Sequence, residues 1–449
     1  MTSLRQNLHE QVTPELQRRT ILKLSWRLLP LIVVSYLVAY MDRTNIAFAA
    51  LTMNKDLGLS AYLYGLGAGI FFLGYALFEV PSNVILERIG ARLWIARIMI
   101  TWGIISGLMA VASGPVSFLV LRFLLGVAEA GFFPGIILYL TYWFPAAYRA
   151  RVISMLFLAV PVSNALAAVV SGAILEMNGT LGLRGWQWVF IIEAIPAILL
   201  AFVVLKLMTD RPAVATWLEV QERQWLETEL GTERDKIERA GRLKLLQALI
   251  DMRVLALSAI YTTTVAASYG ITFFMPQIVK GLGLSNVMTG LVTAIPYTIG
   301  AVGLVLWGHS SDRRRERRWH LIVAGALAAV GLVSAGWLHQ SYWALAAISV
   351  TTVGLYGSRA CFWPMPSLFL TGAAAAAGIA LINSIGALGG YVGPFIVGWI
   401  KDSTNSFEMG LYFLAACALL SAVLTFLATR ATHSPEAPEP ADAKRLAAQ

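Results

Sequence analysis

Charge is scarce in this chain. Of its 449 residues, only 13% are Asp, Glu, Lys or Arg and 58% are hydrophobic, whereas about a quarter of a soluble domain is charged. Mean hydropathy is +0.69. The shortage excludes an ordinary soluble enzyme and a disordered chain. Cysteine is nearly lacking too. Cys361 and Cys417 both fall inside apolar segments, which excludes a secreted disulfide scaffold and a thiolate metal framework. They read as small buried hydrophobes. There is no zinc-spaced His/Cys cluster, no phosphate-binding glycine loop and no G-x-S-x-G elbow. The first 25 or so residues are polar and lack the apolar stretch of a signal peptide.

What the chain has instead is apolar runs of membrane-crossing length. A helix needs about 20 apolar residues to cross about 30 Å of hydrocarbon. Twelve such runs are expected at about 28–51, 61–86, 92–113, 116–142, 150–176, 186–208, 252–280, 285–309, 319–338, 342–370, 375–400 and 408–430. They are continuous rather than alternating, so a transmembrane barrel is excluded. Unpaired backbone is not tolerated in lipid, so they must be helices. The fold class is an all-α polytopic membrane protein.

Net charge is +9. In a membrane chain this reflects the cytoplasmic bias of Lys and Arg rather than nucleic-acid binding. Arg5, Arg18, Arg19, Lys23 and Arg27 precede the first run. Arg88 and Arg92 follow the second, Arg149 and Arg151 the fourth, and Arg313, Arg314, Arg315, Arg317 and Arg318 the eighth. The intervening loops carry isolated charges such as Lys55, Arg184, Lys280 and Lys401. Both termini are therefore expected on the cytoplasmic side. The organisation reads as a cytoplasmic tail (1–27), a six-helix bundle (28–208), a cytoplasmic linker (209–250), a second six-helix bundle (251–430) and a disordered cytoplasmic tail (431–449). The linker holds seven basic and eight acidic residues. Trp217, Leu218, Trp225 and Leu226 predict short amphipathic helices lying on the cytoplasmic face.

The halves share a local pattern. Glu87-Arg88-Ile89-Gly90-Ala91-Arg92 follows the second run and Gly308-His309-Ser310-Ser311-Asp312-Arg313-Arg314-Arg315 the eighth. Internal repeats of this kind underlie alternating-access carriers. With six plus six spans, these loops resemble the major facilitator superfamily. Three further blocks are similar to its anion:cation symporter family. They are Tyr40-Met41-Asp42-Arg43-Thr44-Asn45-Ile46, Gly74 to Asn83 (through Tyr75 and Glu79-Val80-Pro81), and Arg122 to Gly135 (through Glu129 and Pro134). The block from Asn383 through Gly389-Gly390 to Gly393-Pro394 is also similar, and Tyr269 to Lys280 looks most like bacterial tartrate and phthalate permeases. One departure is Ser82-Asn83 where the loop motif usually begins with glycine. The resemblance implies the major facilitator fold of two six-helix bundles. It also implies a carrier of small organic anions, protons as the coupling ion, no other cofactor, and a monomer in the bacterial inner membrane.

Ionisable residues within the spans cost at least about 2.5 kcal/mol each at mid-bilayer, so they mark function or a partner. Arg43 is the natural anchor for a substrate carboxylate, because its planar guanidinium offers two parallel charge-assisted bonds. Asp42 lies about 100° away on the helix. Burial favours the neutral form of a carboxyl, so Asp42 can carry a proton. The alternative is a static ion pair, and the family match favours function. Glu129 lies seven residues after Arg122, on the same helix face. It reads as the second proton site, with Arg122 as its charge partner; the alternative is a structural pair. Arg359 has no acid nearby in sequence. It is either a second carboxylate clamp, implying a dicarboxylate, or an arginine that snorkels to water. Glu79, Arg97 and Glu193 are assigned to structure, and His309 and His320 to solvent.

Among neutral groups, Tyr75, Asn164, Tyr269, Tyr297, Trp363, Ser367 and Asn383 are candidates for a hydroxy acid, although aromatics at helical spacing more often pack. The resemblance favours Tyr75 and Asn383. The reading is a proton-coupled importer of a hydroxycarboxylate or dicarboxylate. Rival readings are an aromatic-acid carrier, an exchanger, a non-transporting membrane sensor, and a membrane enzyme. The sensor would need an output module, and the enzyme a catalytic constellation.

Overall fold

Backbone amides and carbonyls must pair with each other in hydrocarbon, so every apolar run becomes a helix. The computed structural model describes residues 13–239, 251–338, 341–366 and 372–430. The described residues form fourteen α-helices, and the chain supplies twelve candidate membrane spans. In order they are α1 (Pro14–Asp56), α2 (Ala61–Ile89), α3 (Ala91–Leu108), α4 (Pro115–Glu129) with α5 (Phe132–Thr141), α6 (Ala146–Ile174) and α7 (Gly185–Leu207). After α8 (Val220–Arg239) come α9 (Met252–Lys280), α10 (Asn286–Arg314), α11 (Arg318–Trp337), α12 (Trp343–Phe362), α13 (Gly372–Thr404) and α14 (Glu408–Arg430).

Successive spans alternate in direction, so the arginine-rich connections share one end, here the basic face. The connections at 57–60, 281–285 and 405–407 share the far face. Within the first half α3 packs on α7, α2 on α4, and α1 on α6 and α7. Within the second half α9 packs on α13, α11 on α12 and α14, and α10 on α12. The halves meet along α2 with α13, α6 with α10, and α1 with α9. Small residues make these seams close. A Cβ added at Gly65 would stand 2.3 Å from the Pro394 carbonyl oxygen, and one at Gly398 would stand 2.3 Å from that of Ala61. On the far face Asp402 of α13 accepts from the backbone N–H groups of Ala61 (2.9 Å) and Tyr62 (2.8 Å), the open donors at the start of α2.

Four local features depart from the sequence expectation. The expected 1–27 tail is not wholly separate: α1 begins at Pro14 and runs unbroken into the first span, capped by the Thr13 hydroxyl. Among its described residues, 209–239, the linker forms a short 3-10 turn at Pro212–Val214 and a 20-residue helix, α8. It docks through ion pairs from Lys23 to Glu222 (2.8 Å) and Arg149 to Glu233 (2.9 Å), and Arg19 pairs with Glu219 nearby. Trp217 stacks on Trp143 at 5.4 Å, and Trp225 and Leu226 are buried. Residues 240–250, the tail 431–449 and Ser367 lie outside the described residues.

The fourth span is broken at Ala130-Gly131. Proline has no N–H to give the carbonyl four residues back, and its ring crowds that carbonyl. Pro134 acts in this way on Ala130, which turns extended (ψ 133°). Gly131 then takes φ +85°, where the Ser82 hydroxyl packs so closely that a Cβ could not fit. Gly131 and Gly135 let this segment approach α2 closely: a Cβ at Gly135 would stand 2.6 Å from Leu86. The break directly follows Glu129. At the basic face His320 is not solvated as expected. Its Nδ1 lies 2.9 Å from Glu316 and its Nε2 3.1 Å from Ser310.

Candidate functional site

The centre of the molecule is built on Arg43 and Glu129. α1 delivers Arg43 and α4 delivers Glu129, and Arg43 Nη2 is hydrogen-bonded and ion-paired to Glu129 Oε1. Arg43 is 8% exposed and Glu129 1%. A buried pair of this kind needs further donors and rings around it. The other guanidinium nitrogen, Nη1, donates to the Tyr269 hydroxyl of α9 in the opposite half at 3.2 Å. Tyr269 in turn donates to the Tyr40 hydroxyl at 3.3 Å. The rings of Tyr40, Phe71 and Tyr75 lie 4.9, 5.3 and 5.3 Å from the guanidinium carbon. Aromatic faces stabilise a desolvated cation.

Arg122 acts on Glu129 only through space, and the ion pair of Glu129 is with Arg43. Seven residues of helix put the two groups on one face, but about 10.5 Å apart along the axis. Arg43 reaches Glu129 first, from α1. Arg122 is fully buried, donates Nε to the Gly67 carbonyl of α2 at 3.1 Å, and lies over the Phe71 ring at 5.0 Å. Its two terminal nitrogens make no hydrogen bond among the described residues. Asp42 and Glu129 are the acids whose charges act on it.

Asp42 points away from Arg43, as adjacent helical residues must. It faces the interior of the first half, where it accepts from Ser106 of α3 and, at 3.4 Å, from Asn45. Glu193 of α7 lies close by, accepting from Ser171 at 2.5 Å with Asn45 beside it. Both carboxyls are buried, and no Lys or Arg bonds to either among the described residues. Among the described residues Asp42 therefore holds no arginine, whereas Glu129 does. Glu193 had no motif to single it out.

Arg359 of α12 does not snorkel. It is 7% exposed, donates to Ser268 of α9 at 2.9 Å, and lies over Tyr356 at 5.4 Å. Tyr40, Tyr261 and Tyr269 are its electrostatic neighbours. Arg43 and Arg359 thus approach the same Tyr40–Tyr269 pair from opposite halves. Asn164 of α6 donates to the Tyr356 hydroxyl at 2.9 Å, again across the halves, and Tyr297 is buried beside Tyr356.

Two remaining candidates sit nearer the basic face. Trp363 stacks on Phe157 of α6 at 5.8 Å and meets Tyr261 edge-on at 5.0 Å, which closes the halves there. Asn383 of α13 donates to Glu79 of α2 at 2.8 Å. Glu79 is buried and bridges the halves, a placement its position two residues before Pro81 did not reveal. Arg97, by contrast, is exposed and lies over its own neighbour Trp94 at 4.3 Å.

A bundle pair with a desolvated, partly charged seam between its halves is the architecture of a membrane carrier. The chain matches the Major Facilitator Superfamily over residues 32–394 and belongs to it. It is 51% identical over 428 residues to an Agrobacterium vitis protein named provisionally as a tartrate transporter, covering 95% of each chain. It is 43% identical over 414 residues to a quinolone resistance transporter of Acinetobacter baumannii, covering 92% of this chain and 95% of that one. Its fold matches the crystal structure of a bacterial homolog of the human lysosomal transporter Spinster. That match has a TM-score of 0.74 at 19% identity and covers 93% of this chain and 98% of that one. The protein is a multi-pass membrane transporter of this superfamily, not an enzyme.

Proposed function

We propose that the protein imports a small organic anion, a hydroxycarboxylate or dicarboxylate of the tartrate type, by proton symport across the bacterial inner membrane, with both termini cytoplasmic. The observation that carries the reading is the Arg43–Glu129 pair at the meeting of the two halves. An incoming carboxylate competes with Glu129 for Arg43. A proton on Glu129 removes that competition and frees the guanidinium for bidentate binding. Substrate and proton are thereby made mutually dependent, which is what symport requires. Asp42 is the second proton site. It acts within the first half rather than by releasing an arginine, and Arg122 keeps positive charge between the two acids. Arg359 supplies the clamp for a second carboxylate, with Tyr75, Tyr269, Trp363 and Asn383 around the remainder of the substrate. The tartrate-named relatives support this substrate class.

A second reading is an aromatic acid. The rings of Tyr40, Phe71 and Tyr75 around Arg43 favour it.

The test is uptake into proteoliposomes under an imposed inward proton gradient, with tartrate, a hexonate, phthalate, hydroxyphenylacetate and a neutral sugar as the panel. Gradient-driven uptake of tartrate, abolished in Arg43→Ala and converted to uncoupled exchange in Glu129→Gln, is the expected result. Equal uptake without a gradient removes Asp42 and Glu129 from their roles. Preference for phthalate moves the substrate to the aromatic reading.

A further inference from the structure

Glu79 is not needed for the coupling scheme above, yet it is an acid buried between the halves. It is 3% exposed. Oε1 accepts from Asn383 of α13 at 2.8 Å, and Oε2 is buried without a hydrogen bond among the described residues. The Ser384 hydroxyl stands near enough to be a second donor to the carboxyl, and the cationic group that acts on it is Arg43. A structural acid would be expected to use both oxygens, because an unmet buried acceptor costs about 1–3 kcal/mol. Tyr75 stands one turn before Glu79 on α2, and its ring packs 5.3 Å from the Arg43 guanidinium carbon. Glu79 is therefore about 6 Å along the helix from the level of Tyr75.

A carboxylate cannot receive the carboxylates of an anionic substrate, which it repels. It can receive their hydroxyl hydrogens. We propose that Glu79 reads substrate hydroxyl groups: Oε2 accepts a hydrogen bond from a substrate hydroxyl while Asn383 holds Oε1 in place. The inference rests on the organic-anion reading above and narrows it to hydroxylated acids. The charges sort the groups of the substrate: the terminal carboxylates go to Arg43 and Arg359, and a hydroxyl between them goes to Glu79. A site built around a buried acceptor discriminates strongly against an analogue that leaves it unmet.

Tartrate and succinate form the matched pair, with the same four-carbon dicarboxylate chain with and without hydroxyls. Uptake competition in proteoliposomes and ligand-induced shift of the unfolding midpoint should both rank tartrate above succinate, at least tenfold in apparent affinity for the native protein. In Glu79→Met the ranking should collapse to within a few-fold, mainly through lost tartrate affinity, with succinate little changed. Glu79→Gln keeps the shape and an acceptor for Asn383 but loses the charge, so its ranking should fall part of the way; it decides the matter alone if Glu79→Met does not fold. A variant that still transports tartrate with the native ranking overturns the role of Glu79 and leaves the organic-anion reading intact. A native protein that takes up tartrate and succinate equally does the same. A native protein that moves neither acid overturns both.

Discussion

Arg43 and Glu129 are 86 residues apart in sequence, yet they form the ion pair at the centre of the molecule. Neither has bulk water to replace its partner, so each is the other's main electrostatic support.

Removing one member should therefore cost more than removing both. Arg43→Ala is expected to lower stability by about 3–5 kcal/mol, the usual penalty for stranding a buried charge. Adding Glu129→Gln should recover much of that loss without restoring transport. Thermal unfolding of the two single variants and the double variant in detergent measures the coupling; additive losses would show that the two side chains act independently.

Two glycine-to-alanine changes should separate folding from gating. In Gly126→Ala the new Cβ would stand 2.0 Å from the Phe71 carbonyl oxygen inside the first half, so the unfolding midpoint should drop. In Gly65→Ala the clash is with Pro394 across the halves, and moving the halves apart relieves it. Its midpoint should change less, while cysteine labelling from the far face should rise.

The Asp402 contact predicts a latch on that face. Its two oxygens cap α2 only while α2 and α13 are together there. Asp402→Ala should raise the labelling rate of an Ala61→Cys probe by an impermeant maleimide several-fold. An unchanged rate would mean that the glycine seam alone holds the face shut.

Docking of α8 should depend on pH through Glu222. Burial pushes its carboxyl up, but the Lys23 ammonium, the Glu219 backbone N–H and Arg19 outweigh that and hold it below the ordinary glutamate range. The stabilisation is present above the ordinary value, near 4.5, and is lost as pH falls through the depressed one. Hydrogen exchange of residues 220–235 between pH 6 and pH 3 should show protection vanish at the acid end. Glu222→Gln should abolish that dependence.

Most of the fold was legible because hydrocarbon leaves the backbone one solution, and apolar run length announces it. The helical extension before the first span was not legible. Residues 14–27 are too polar to read as part of a span, and α1 is completed there by charges that pair with α8. Arg43 and Glu129 could be singled out because charge is rare in a span. Their pairing could not, because spacing along one helix says nothing about what an adjacent helix brings. The same limit hid the neighbours of Glu193, which come from α1 and α6, and it left Arg359 open between two readings.

The sequence by itself determined the number of the spans and the short roster of membrane charges, both of which follow from hydropathy. Only the tertiary structure decided which charges meet: Arg43 with Glu129, Arg122 left with a backbone carbonyl, Asp42 turned inward, Glu79 set against Asn383. The physical reason is that a charge in low dielectric is settled by whatever lies within a few ångströms, and in a helical bundle those neighbours come from other helices.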